Sequence, residues 1–527
     1  MIIRLSFLLL AATVAVSALL ASKPGRAREI TILHTNDAHG RYLPFKVAPG
    51  NATAQTGDPG REPQSFDRSG KVGGMASLAS AVGAIRAARG PGNVLLVNGG
   101  DTFGDDLLGN LTRGEAMISL MNAVGFQFMA LGNHDFDYGV ERTRQLQSIA
   151  SFPMRGANVV DRQGKPFLGD PTKVFRIGGV RVGVLGLGYH NTDETGSREN
   201  VRGLRFTDGL EAARRHVPGL RRRADIVVIV SHQGSAVDRE LAKKVPGIDL
   251  IIGAHSHDQI SPPEKVGSTW MAQAMSDNAA LGELTLTLDS KRRLKDVRGQ
   301  VHTLWNDRFR PDPKVEQLVE RLRKPHRLQL EQVLATATDR IGRRYRSESP
   351  FDVLVGDILR KHTGADVAFL PGVGYGVSLE PGPITREALY TLLPHPSKVV
   401  TMELSGDQIL SVLEQTATNQ NPATPSDRVG GLLQTSGLRW TVDLTHPSGR
   451  RIRNVSVGGQ PLESARFYKI VTHSGMKEGL HRYRTLSMGR NSVTTEEQVT
   501  EVVERALRAE ERVRSPRLGS VTLIKSD

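Results

Sequence analysis

The chain reads as two α/β domains in series, and three observations carry that reading. Short, wholly apolar runs alternate with helix-patterned segments up to about residue 310. A charged helical stretch then interrupts this grammar before a second α/β region begins. The length, 527 residues, also exceeds what one hydrophobic core sustains.

The elements follow in order. Residues 1–27 carry Arg4, the apolar run Phe7 to Leu10 and small apolar residues to Ala21, with cleavage-compatible positions at Ala18 and Ala27. That is the layout of a signal peptide and predicts a periplasmic or secreted protein. No other segment approaches the ~18 apolar residues that span a bilayer. Residues 28–312 are expected to form the first domain. Its strands are Glu29 to His34, Val94 to Val97, Phe128 to Leu131, Val182 to Leu187, Asp225 to Val230 and Ile248 to Ile252. Met75 to Arg89 and a stretch near 112–124 are helical in character, and residues 49–74 form a polar loop. Strands that are apolar throughout predict a sheet covered on both faces. Residues 313–338 read as a connecting helix, broken or kinked near Pro325. Residues 339–527 form the second domain, with a strand Val367 to Leu370, a helix Ser405 to Thr416 and a last helix Thr495 to Arg512.

Composition narrows the function. The formal charge is +14, but the basic residues occur in short groups such as Arg221–Arg223 and Lys291–Arg293, and aromatic residues are only 5%. A nucleic-acid groove needs a basic track interleaved with stacking rings, so a nucleic-acid polymer is not the expected partner. A small anionic substrate is. Cysteine is absent, which excludes a thiolate nucleophile and a Cys metal site.

The chemistry sits at strand-to-loop junctions. Asp37 and His39 follow the first strand, Asp101 follows Val94–Val97 through two glycines, and Asn133-His134 follows Leu131. His232 and the pair His255 and His257 follow two later strands. Open α/β sheets gather ligand sites at the carboxyl ends of their strands, so these five junctions are expected to converge at one sheet edge. Carboxylates, an amide oxygen and imidazoles together suit divalent ions such as Mn²⁺, Zn²⁺ or Fe²⁺. Asp101 is the natural bridge between two ions, because its two oxygens can each face one of them. Two such ions ~3.5–4 Å apart can hold a nucleophilic hydroxide.

Ile32-Leu33-His34-Thr35-Asn36-Asp37-Ala38-His39-Gly40 resembles the opening signature of the 5'-nucleotidase family of metallophosphoesterases. Gly99–Thr102, Gly132–Asp137 and Gly253–His257 resemble its later blocks, in the same order. The resemblance implies a calcineurin-like metallophosphoesterase sandwich joined by a helix to a 5'-nucleotidase-type substrate domain. It implies two divalent ions, one held by Asp37, His39, Asp101 and His257, the other by Asp101, Asn133, His232 and His255. It also implies that His134, oriented by Asp137, stabilises charge on the transferred group as a catalytic pair. The activity implied is phosphoester hydrolysis by a metal-bridged hydroxide.

The second domain matches with gaps. Gly382–Leu389, Leu404–Gln408 and Gln434–Leu438 resemble family blocks. Where nucleotidases carry an Asn-Gly-Gly-Gly-Ile-Arg loop, however, this chain has Leu370–Gly376, without the Arg. The two base-stacking rings are not evident near Leu432 or in Lys477–Tyr483; Tyr375, Arg346, Arg439 and Tyr483 are the candidates for a rebuilt pocket. The loop Pro371–Gly376 and Ile384–Glu387 also resemble the thiosulfohydrolase branch of the superfamily, whereas Gly132–Gly139 keeps the nucleotidase form. A binding protein on a degenerate enzyme scaffold is the third reading, and the intact set of metal and catalytic residues speaks against it.

Overall fold

The computed structural model describes residues 28–49, 66–373 and 378–525. The expected signal segment and Tyr375 therefore lie outside the described residues.

In the first domain, period-2 alternation sorts each apolar strand between two cores. Ile30, Ile32, Leu95 and Val97 point toward a second sheet, where they meet Val182, Val184, Ile226, Val228, Val230 and Ile252. Leu33, Val94 and Leu96 point the other way, onto the helices Met75–Arg89 and Glu115–Val124. The second sheet repeats this: Val227 and Ile229 face the helices Gly209–Arg223 and Ser235–Lys244. The result is four layers, helix–sheet–sheet–helix, which explains why the strands carry no polar face.

The first sheet has the order Leu294–Thr303, Ala280–Leu288, Arg28–Thr35, Val94–Asn98, Phe128–Ala130, Met154–Arg155. From Arg28–Thr35 onward its neighbours are parallel. The second sheet has the order Gln259–Val266, Thr269–Ala274, Leu250–Gly253, Ile226–Ser231, Val180–Leu187, Thr172–Ile177. Its central strands are likewise parallel. The junctions expected on one sheet edge are thus divided between two sheets, whose strands end at the same end of the sandwich.

The connecting stretch is the helix Pro313–Arg323, a 3-10 turn Lys324–His326 at Pro325, and Arg327–Leu330. Val333–Ala337 is a strand, pairing with Gly382–Thr385 and Arg512–Val513 of the second domain. The second domain's main sheet runs Gln434–Ser436, Val367–Leu370, Phe467–His473, Lys398–Ser405, Arg490–Gln498. Helices Pro350–Thr363 and Val499–Glu510 cover one face, and Gly406–Gln420 covers the other. The last helix starts at Val499 rather than Thr495, because residues 490–498 pair with Lys398–Ser405 as an edge strand.

The two domains meet beside Asp106, whose Oδ1 caps the helix Leu107–Thr112 by accepting from Gly109 N at 2.8 Å. Its Oδ2 is buried without a partner. Burial, aided by nearby Glu387, pushes this carboxyl up to about 8. A pKa raised on folding gives stability that is fully present below the unfolded value and is lost as pH rises through about 8. Asp106→Asn keeps a capping oxygen without the charge. It is expected to melt above the wild type at pH 9, with the gap closing toward pH 5. A pH-independent difference in thermal scans would remove this account.

Candidate metal centre

Each expected ligand is held by its own loop, and the loops brace one another. Asp37 N donates to Gly100 O at 2.9 Å, His39 N to Asp101 O at 2.9 Å, and Gly40 N to Thr102 O at 3.1 Å. His255 N donates to Asp37 Oδ2 at 2.9 Å. Asp135, between His134 and Asp137 in sequence, is the keystone. Its buried carboxylate accepts from the backbone N–H groups of Asp101, Thr102 and Gly132 at 3.0, 2.9 and 2.7 Å. Gly100, at φ +100°, permits the turn into Asp101, and a side chain at Gly132 would collide with the Asp101 carboxylate.

Asp37, His39, Asp101, His255 and His257 all adopt positive φ, between 45° and 70°. The left-handed region is disfavoured for residues with a side chain, and such strain persists only where the surroundings enforce it. Five of seven expected ligands sharing it marks a constellation held for its side chains.

Beside a separate cluster of Asp105, His134, Asp137 and His395, six of the seven expected ligands fall into two groups. Asp37, His39 and His257 make one; Asp101, His232 and His255 make the other, each with its donor atoms within 4.8 Å of one another. In the first, His39 Nε2 and His257 Nε2 face each other at 3.0 Å, with Asp37 Oδ1 3.4 Å from His257 Nε2. In the second, His232 Nε2 lies 3.1 Å from Asp101 Oδ2, its Nδ1 being turned to Gly99 O at 2.7 Å. Asn133 Oδ1 is buried without a hydrogen-bond partner. Converging nitrogens, two carboxylates and an orphaned amide oxygen fit a pair of hard-to-borderline divalent cations. His34, from the same signature, stays outside: burial lowers it to about 4 and keeps it a neutral core residue.

The carboxylates and imidazoles also shift one another's protonation. Burial works to raise Asp37, but His257 and His232 outweigh it and hold its carboxyl at about 2. Asp101 is likewise driven down, against burial, by His232 and His134. His232 rises to about 9 because Asp101 and Asp37 overcome the burial that would lower it.

His134 stands beside the ligands rather than among them. Its Nδ1 is 2.9 Å from Asp137 Oδ2, and its backbone N–H donates to Asp101 Oδ1 at 2.8 Å. Burial lowers its pKa, but Asp105, Asp137 and Asp101 more than reverse this and hold it well above the ordinary imidazole value. Asp105, which sequence reasoning missed, contacts His39 Nδ1 at 2.6 Å. A carboxylate behind a histidine ligand fixes its tautomer and direction. The signal was present in Gly104-Asp105-Asp106, four residues past Asp101.

These groups open onto a cavity of about 280 Å³ between the domains, whose far wall includes Arg343, Tyr345, Arg428, His473 and His481. The candidates proposed from sequence for that wall differ. Tyr483 is buried in the second domain's core, Arg439 bonds Gly519 O, and Arg346 does not line the cavity. Among the described residues, no Phe or Trp lines it.

The calcineurin-like phosphoesterase family matches residues 30–259, and the 5'-nucleotidase C-terminal domain matches residues 333–488. The chain belongs to the 5'-nucleotidase family of metallophosphoesterases, a family of hydrolases. An apyrase of Tabanus yao is 28% identical, covering 85% of each chain. A 5'-nucleotidase precursor structure from Thermus thermophilus is 26% identical at a TM-score of 0.84, covering 95% of this chain and 100% of its own. The sulfate thiohydrolase SoxB of Thermus thermophilus is also 26% identical at 0.84, covering 94% and 97%. Both halves of this metallophosphoesterase therefore carry the family's two-domain arrangement.

Proposed function

We propose that this metallophosphoesterase is an exported dinuclear-metal hydrolase of small phosphoesters. The observation that carries the reading is the pair of ligand groups, strained into place beside the His134–Asp137 pair. Asp37, His39, Asp101 and His257 would hold one divalent ion, and Asp101, Asn133, His232 and His255 the other. Bound there, such ions supply Lewis acidity and an acidified water at neutral pH. The chain's own groups do the rest. Asp137 orients His134, whose cationic ring supports charge developing on the transferred group. On the far wall Arg343 is committed to Asp352 at 2.8 Å, whereas Arg428 Nη2 is buried without a hydrogen-bond partner and would favour an anion. Export is supported by the basic and apolar N-terminal stretch. Among the described residues no helix is long and apolar enough to cross a membrane.

The relatives' names point to nucleotides, but the cavity wall supports a different preference. Base stacking contributes ~1–3 kcal/mol per base; the described wall has no Phe or Trp, and its two tyrosines, Tyr189 and Tyr345, are buried, with Tyr189 already stacked on His255. AMP is therefore expected to exceed a generic aryl phosphate by less than about a hundredfold in kcat/KM, or ~2.7 kcal/mol. A larger preference in steady-state kinetics would sink that part of the reading. The likeness to a sulfate thiohydrolase favours a second reading, hydrolysis of a thiosulfate-type substrate. Thiosulfate-type substrates belong in the same assay, and turnover of these alone would replace the first reading.

A further inference from the structure

His395 lies in the second domain, yet its ring enters the catalytic pair of the first. The helix Arg386–Leu392 ends just before Pro394-His395-Pro396, and the first domain and the connecting helix together grip it. Glu387 takes hydrogen bonds from Tyr42 Oη and Arg323 Nη1. Arg41 Nη2 donates to Thr391 O at 2.9 Å, and Asn110 Nδ2 donates to Pro394 O at 2.7 Å. A residue so clamped has little freedom to wander.

The clamp delivers an imidazole to two carboxylates. His395 Nε2 is 2.7 Å from Asp105 Oδ1 and 3.1 Å from Asp137 Oδ2. Its ring stacks on His134 with centroids 5.0 Å apart and planes 18° apart. Asp105 is the carboxylate behind His39, and Asp137 the one behind His134. A carboxylate held by a single imidazole can still rotate about its Cβ–Cγ bond; one that also meets a second ring at a fixed angle has far less freedom. Burial lowers the His395 pKa, but Asp137 and Asp105 raise it to about 9, so its ring is a donor to both at neutral pH.

We infer that His395 is a positioning residue of the catalytic site, supplied by the second domain: its Nε2 fixes Asp137 and Asp105, and through them the direction of His134. This rests on the hydrolase reading above. It makes the site complete only when the second domain is docked, since no group of the first domain replaces this donor in the contacts described for Asp137.

Partners behind active groups commonly matter by 10–100-fold, and small misplacements of a reacting group by as much. His395→Phe keeps a ring against His134 but removes the donor. On an aryl phosphate it is expected to lower kcat about 10–100-fold, with KM within about threefold. Metal content and melting temperature should stay at wild-type values. His395→Gln, whose amide nitrogen reaches a similar distance, should recover most of the loss. In a His134→Ala background, His395→Phe should cost less than about threefold more, because residues acting through one another are not additive. Full additivity, a loss in KM alone, or a Gln variant as poor as Phe would each overturn the inference. A wild type inactive on every ester would remove the hydrolase reading instead. The inference would then stand or fall on nitrogen NMR of the His134 ring: Nδ1 should move in His395→Phe and return in His395→Gln, and an unmoved signal overturns it.

Discussion

Asp101→Asn is expected to lower kcat/KM by about 10³-fold or more and to release at least one ion per chain. Every part of the Asp101 carboxylate is in use. Oδ1 accepts the His134 N–H at 2.8 Å, and Oδ2 lies 3.1 Å from His232 Nε2, in a site where Asp101 is 2% exposed. An amide must turn its NH₂ toward one of these. Facing His134 N–H, two donors collide; facing His232, the negative charge that draws a cation is gone. Removing one partner of a buried charged pair costs ~3–5 kcal/mol, and 1.36 kcal/mol is a factor of ten in rate. The backbone should hold, since Asp135 still ties Asp101, Thr102 and Gly132 together. Plasma spectrometry of the purified variant, beside wild type stripped with chelator and reloaded with Mn²⁺, tests both halves. A variant that keeps two ions and a tenth of its activity would show that Asp101 is not the bridge.

How far the sequence led can be traced through particular residues. The helix Met75–Arg89 and the strand cores matched because apolar runs and an Ala-rich stretch are local signals. The division of the junctions between two sheets was not legible. Strands such as Val94–Asn98 and Ile226–Ser231 are buried on both faces, and an apolar run does not say which neighbour it joins. The polar edge strand Arg490–Gln498 hid for the opposite reason: half exposed and without alternation, it looked like the approach to a helix. The seven expected ligands stand out in sequence because each follows a strand, whereas the positive φ that five of them share has no signature in composition. His395 was invisible because it is 258 residues from Asp137. Arg428 was invisible for the same reason: it reaches the cavity wall from a loop far in sequence from Leu370–Gly376.

His134→Ala separates chemistry from metal binding, and turnover should fall 10²–10³-fold while both ions remain. The ring lies outside both groups of expected ligands and clusters instead with Asp105, Asp137 and His395, so removing it leaves all seven expected ligands and the Asp135 keystone in place. What disappears is a cation next to the reacting group. Asp105, Asp137 and Asp101 hold that ring protonated against burial, and a preorganised donor of this kind contributes ~2.7–4 kcal/mol to a transition state. Its N–H is needed only as charge develops, so kcat should drop while KM stays within a few-fold. Asp137→Asn should fall between wild type and His134→Ala, since it weakens the cation and its orientation but leaves the ring, which Asp105 Oδ1 still approaches at 3.5 Å. Loss of both ions from His134→Ala would make the ring a support of the metal centre. A kcat within a few-fold of wild type, with the ions in place, would leave the charge to the metals alone.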